Sequence, residues 1–115
     1  MTDRELLELA AKAAGLELGT WNETHRSIYY PFHASTLTDG HYWNPIDEDS
    51  DALRLAVKLA MYVALDNAAR EVVACAAEGS VVKERCGDDP YAATRRAIVR
   101  AAAEIGQQMG GGNAE

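Results

Sequence analysis

Apolar residues recur along the chain with two different periods, and the change from one to the other divides it into elements. Behind Thr2-Asp3-Arg4-Glu5, the residues Leu6, Leu9, Ala10, Ala13 and Ala14 return at helical spacing. Thr2 followed three residues later by Glu5 forms a capping box, and Gly15 sits where a left-handed C-terminal cap belongs, so a helix is predicted over residues 3–14. Leu16 to Trp21 and Arg26 to Phe32 read as short strands on either side of the turn-prone Asn22-Glu23-Thr24. Ser27-Ile28-Tyr29-Tyr30 has the content of a strand, which Pro31 ends or confines to an edge. His33 to His41 shows little apolar periodicity and is expected to be a loop.

A second helix is predicted from about Asp49 to Leu59. Leu53, Val57 and Ala60 fall on one stripe, widened by Ala56 and Leu59, with Asp51, Arg54 and Lys58 towards its edges. Ahead of it Pro45 holds Asn44 extended, and Asp47, Glu48, Asp49 and Ser50 offer acceptors and negative charge to the free N–H groups of the helix start. Met61–Leu65, Glu71–Ala76 and Val81–Cys86 follow as strand-like segments. The first could instead prolong helix two, since Ala60 offers no stop signal; Val72-Val73 and Val81-Val82, which flank a turn, favour strands. Asp89 as cap and Pro90 in the first helical position open a third helix running to about Met109. Its small residues permit close approach to a sheet or a helix, and Gly110 begins a flexible tail over 110–115. The expected fold class is therefore α+β: a single domain over 1–109, in the order α-β-β-α-β-β-β-α. Its antiparallel sheet of four to five strands would pack with three helices.

The 115 residues suit one domain, and 48% hydrophobic with 25% charged residues is an ordinary globular mix. No apolar run approaches the roughly 20 residues of a membrane span, and the N-terminus carries acids where a secretory signal would be basic, so a cytoplasmic protein is expected. A net charge of −7 argues against general nucleic-acid binding, which needs a basic footprint. If a hairpin turns near Glu78-Gly79, Cys75 faces Val82 and Cys86 faces Glu71, which separates the sulfurs by roughly 13 Å and predicts buried, reduced thiols.

Three pieces carry a resemblance: Thr-Asp-Arg-Glu-Leu-Leu-Glu-Leu-Ala-Ala-Lys-Ala-Ala-Gly at 2–15, Trp43-Asn44-Pro45 through Leu59, and Gly87-Asp88-Asp89-Pro90 through Gly106. Together they resemble a group of small proteins encoded by tailed phages and prophages of Gram-negative bacteria. The layout is similar to the phage α-β-α sandwich type of domain. Where that group leads one to expect a helix-ending glycine, this chain has Ala60. The group offers no catalytic motif; the resemblance implies a protein acting on host machinery or host defences.

Two sets of residues are candidates for binding. Trp21, Tyr29, Tyr30, Phe32, Tyr42 and Trp43 fall close together and are interleaved with His25, His33 and His41. Some must fill the core, Trp43 among them by one reading. Tyr29, Tyr30, His33, Tyr42 and Trp43 are otherwise the material of a stacking surface or an interface. Arg96 and Arg100, one helical turn apart, could grip a phosphate or carboxylate together, and Arg54 and Lys58 share that spacing; the alternative is solvated surface paired with acids of the chain. The acidic cluster at 47–51 lacks the alternating ligands of a calcium loop, and the histidines lack paired metal-ligand spacing. No catalytic residue, metal or cofactor is expected. The leading expectation is a non-enzymatic accessory protein that binds a host protein, most plausibly to antagonise an anti-phage defence system. The alternative is a protein that sequesters a nucleotide-type small molecule. Val99 with Ala92 and Ala103 forms a second apolar stripe on helix three, which predicts a homodimer through that helix.

Overall fold

The chain folds as two α-β-β-β units closed by a last helix: α1 (Asp3–Ala13), β1 (Thr20–Asn22), β2 (Ser27–His33), β3 (Thr38–Trp43), then α2 (Asp49–Lys58), β4 (Tyr62–Asp66), β5 (Glu71–Cys75), β6 (Val81–Arg85), and α3 (Pro90–Gly111). The computed structural model describes residues 1–16, 19–33, 38–76 and 81–111, and of residues 31–41, 110 and 111 the backbone alone. The fold is α+β with three helices, but the single sheet of four to five strands is replaced by two three-stranded antiparallel sheets, β1-β2-β3 and β4-β5-β6. The additional strand is β3, whose residues lie largely in the segment expected to be a loop; Tyr29 pairs with Tyr42 and Ile28 with Trp43. Residues 17–18, inside the first predicted strand, and the turn at 78–80 lie outside the described residues, as does the tail at 112–115. The helix itself continues through Gly111.

The same local devices occur in both units. Asn22 Oδ1 accepts the His25 N–H at 2.8 Å, and Asp66 Oδ1 accepts the Ala69 N–H at 3.0 Å. The next residue in each turn, Arg26 (φ 49°) or Arg70 (φ 53°), is left-handed and returns the chain so that Ser27 pairs with Asn22 and Glu71 with Asp66. Each of these arginine carbonyls then accepts a bond from the residue that follows the unit's third strand: Arg26 O from Asn44 Nδ2 at 2.9 Å, Arg70 O from the Cys86 N–H at 2.9 Å.

Both unit-opening helices also stop in the same way. Leu16 N–H reaches Ala11 O (2.9 Å) past a left-handed Gly15 (φ 75°), and Met61 N–H reaches Ala56 O (2.9 Å) past Ala60 (φ 53°). Helix two therefore ends at the position where a glycine is expected, although an alanine stands there, and the segment after it is a strand.

α3 packs against α1, α2 and all three strands of the second sheet. Ala93, Ala97 and Ala101 lie against Val72, Ala74 and Val82 of the second sheet, while Ile98, Val99, Ala102 and Ala103 join a larger core. That core holds Leu6, Leu7, Ala10 and Ala11 of α1, Ile28, Tyr30 and Trp43 of the first sheet, and Ala52, Leu55 and Ala56 of α2. The α1–α3 crossing is so close that a Cβ on Gly106 would overlap the carbonyl oxygen of Leu9. The expected second stripe on helix three is thus internal: Val99 is fully buried and Ala103 is buried with it. Val99 offers no surface to a second copy, because α1 and the first unit's core cover that face.

In the second sheet Cys75 pairs with Val81 and Glu71 with Arg85, one residue away from the expected register. Both thiols are free and half-buried rather than fully enclosed.

Candidate functional site

The segment before α2 is held by a buried polar lock. The Asn44 N–H donates to Asp51 Oδ2 at 2.9 Å, and Asn44 Oδ1 accepts the N–H groups of Ile46 (2.9 Å) and Asp47 (3.1 Å). The Asn44 amide donates in turn to Arg26 O and to Asp47 Oδ2. Asn44 and Asp51 are both buried. Burying a carboxylate is costly unless it is hydrogen-bonded, so Asp51 fixes which face of α2 turns inward. Arg95 of α3 clamps the same segment, donating to Ile46 O (2.7 Å) and to Asp49 Oδ1 (2.6 Å).

The acids at 47–51 consequently do not cap the helix as expected. Glu48 is the N-cap without a side-chain cap bond, Asp49 is held by Arg95, and Asp51 by the Asn44 amide.

This orientation keeps Ala56 and Leu59 of the predicted stripe against the core but turns Leu53 and Val57 outward. The inward face of α2 is Asp51, Ala52, Leu55 and Ala56, while Leu53 is 65% and Val57 71% exposed. Arg54 and Lys58 are exposed beside them, and neither has an ion pair or side-chain hydrogen bond among the described residues. Leu53 and Val57 stand one turn apart, as do Arg54 and Lys58. The outer surface of α2 is thus an apolar pair running alongside a basic pair. Fully burying such aliphatic side chains is worth about 1.5–3 kcal/mol each, and the fold leaves that gain largely unused.

The other predicted residues are dispersed. Tyr30 and Trp43 are buried in the larger core and form no exposed surface. Tyr42 is stacked on His25 (centroids 3.9 Å apart, 17° between planes) and tilted against Tyr29 at 4.8 Å, so its ring is engaged by the chain's own rings. The His33 side chain lies outside the described residues. Next to Tyr42 a cleft of about 280 Å³ is lined by Asp47, Glu48 and Asp51 as well as His25, which sets carboxylates where a phosphate would need cations.

Arg96 and Arg100 share a helix but not a ligand. Arg96 reaches Asp3 of α1 at 3.5 Å, and Arg100 pairs with Glu84 of β6 and also donates to Lys83 O. The anion clamp expected of these two residues is not assembled. Among the described residues no group of three or more His, Cys, Asp or Glu side chains could hold a metal ion, and no helix is long and apolar enough to cross a membrane.

In comparisons with known proteins, no family, no curated protein and no solved structure matches the chain.

Sequence reasoning placed Arg54 and Lys58 on this surface but assigned Leu53 and Val57 to the core, and it gave Asn44, Asp51 and Arg95 no such roles. A signal was present. Ala52 and Leu55 share with Ala56 and Leu59 a stripe with spacing as regular as that of Leu53 and Val57, and a helix turned onto it brings Asp51 to the Asn44 N–H.

Proposed function

We propose that this chain is a non-enzymatic binding protein that docks a host protein on the outer surface of α2. The exposure of Leu53 (65%) and Val57 (71%) together carries this reading. Large apolar side chains grouped on an otherwise charged surface are what interaction sites are built from, and a partner covering them recovers burial that the fold forgoes. The likeness of the three helical pieces to small phage and prophage proteins supports a bacterial host factor as the partner and antagonism of a defence system as the setting.

The test is affinity capture from bacterial host lysate with wild-type protein and with Leu53→Ser/Val57→Ser. Both side chains are exposed, so the variant's circular dichroism should match wild type. The expected result is a host protein retained in stoichiometric amount by wild type and lost by the variant. Equal capture by both, or none by either, defeats the proposal.

A further inference from the structure

We infer that the segment docking on α2 is a helix whose flank carries carboxylates; this rests on the docking role proposed above. The chain has 18 acidic residues to 11 lysines and arginines, and five of those cations form ion pairs among the described residues. Arg4 pairs with Glu8, Arg26 with Glu23, Arg95 with Asp49, Arg96 with Asp3 and Arg100 with Glu84. Six others, Lys12, Arg54, Lys58, Arg70, Lys83 and Arg85, have no ion pair among the described residues, and of these Arg54 and Lys58 are the two that flank the most exposed aliphatic pair on the helices. Cations left unpaired beside an apolar stripe complement an acidic surface brought by something else.

Shape selects a helix. α2 is a convex rod of ten residues, and the ridge that Leu53 and Val57 make along it fits the groove of a second helix laid alongside. A phosphate backbone fits poorly. Asp47 and Glu48 are exposed at the start of the same helix, and the aliphatic side chains of Leu53 and Val57 offer a phosphate nothing.

The test is a display library of helical peptides with leucine fixed at one-turn spacing and Glu, Lys or Ser varied at the flanking positions. It is selected on wild-type protein and counter-selected on Leu53→Ser/Val57→Ser. The expected peptides carry glutamate flanks and lose affinity about tenfold on Arg54→Glu/Lys58→Glu. Their lysine-flanked versions should prefer that charge-reversed protein, and both effects should shrink as salt rises. Selected peptides that need Leu53 and Val57 but show no preference for acids, or prefer lysine, overturn the inference and leave the docking role standing. Failure to select any peptide dependent on Leu53 and Val57 removes the docking face itself. A dimer by light scattering that Leu53→Ser/Val57→Ser dissolves would make the occupant a second copy, which also overturns the inference.

Discussion

Replacing Asn44 with alanine should destabilise the protein more than any exposed substitution, and the amount follows from the bonds lost. Asn44 is 5% exposed, and its side chain is tied on both sides. Its oxygen accepts Ile46 N–H at 2.9 Å and Asp47 N–H at 3.1 Å, while its amide donates to Arg26 O at 2.9 Å and to Asp47 Oδ2 at 3.2 Å. Asp47 suffers least, because its N–H also reaches the Asn44 backbone carbonyl at 3.2 Å and its carboxylate can turn to water. Ile46 N–H and Arg26 O are left without their partner. A buried polar group stripped of its partner costs about 1–3 kcal/mol; Ile46 N–H is such a group, while water can replace part of the bond to the carbonyl of the exposed Arg26, so the loss should be about 2 kcal/mol. That is a large share of the roughly 5–15 kcal/mol that holds a domain of this size together.

Urea unfolding followed by fluorescence is a direct assay, since Trp43 is buried next to the lock. The midpoint should fall while the slope is unchanged. A loss below about 1 kcal/mol would mean that these bonds do not hold the α2 entry, and the orientation of α2 would need another cause.

Ala60→Gly should stabilise by about 1 kcal/mol, because Ala60 closes helix two at φ 53° where glycine is unstrained; an unchanged denaturation midpoint would rule out that helix end. Val99→Glu places a charge at a fully buried position against α1, so it should cost about 3 kcal/mol or more and unfold the chain, rather than yield a folded monomer by light scattering and circular dichroism. Cys75 and Cys86 should remain unlinked in native protein by mass spectrometry, Cys75 pairing with Val81 and Cys86 bonding back to Arg70 O; a native crosslink contradicts the sheet register. The Glu5 carboxyl is held below its ordinary pKa first by the Thr2 backbone N–H and then by the Thr2 hydroxyl. A lowered folded-state pKa means its contribution is full above the unfolded value and is lost as pH falls through the folded one. Amide protection factors at the start of α1, corrected for the intrinsic pH dependence of exchange, should therefore fall towards acid, and Glu5→Gln should remove that dependence.

What was legible in the sequence was whatever is decided locally. The start and end of α1 lie in Thr2, Glu5 and Gly15, and the start of α3 lies in Asp89, whose carboxylate accepts the N–H groups of Tyr91 and Ala92. β3 was not legible, because Asp39 and Gly40 are residues that strands disfavour and its conformation comes from backbone bonds to β2. The division into two sheets was equally hidden, since strand content does not say whether strands on either side of a helix join. The arginines of α3 show the same limit from the side of the site. Spacing puts Arg96 and Arg100 on one face, but their partners Asp3 and Glu84 belong to α1 and β6, and only the folded packing draws the two guanidinium groups apart.

The orientation of α2 and the character of its outer face have separate causes. Asn44 and Asp51 account for the orientation: turning Leu53 and Val57 inward would carry Asp51 outward and leave the Asn44 N–H without its acceptor. Nothing in that lock requires leucine at 53 or valine at 57. Serine, glutamine or glutamate at either position would leave Asn44, Asp51, Arg95 and the inward stripe Ala52, Leu55 and Ala56 untouched. Polar residues there would also lower the exposed apolar area that promotes unwanted association. Stability therefore explains why this face points to solvent, and it leaves unexplained why the face is apolar. The presence of Leu53 and Val57 beside Arg54 and Lys58 is accounted for once a second surface covers them.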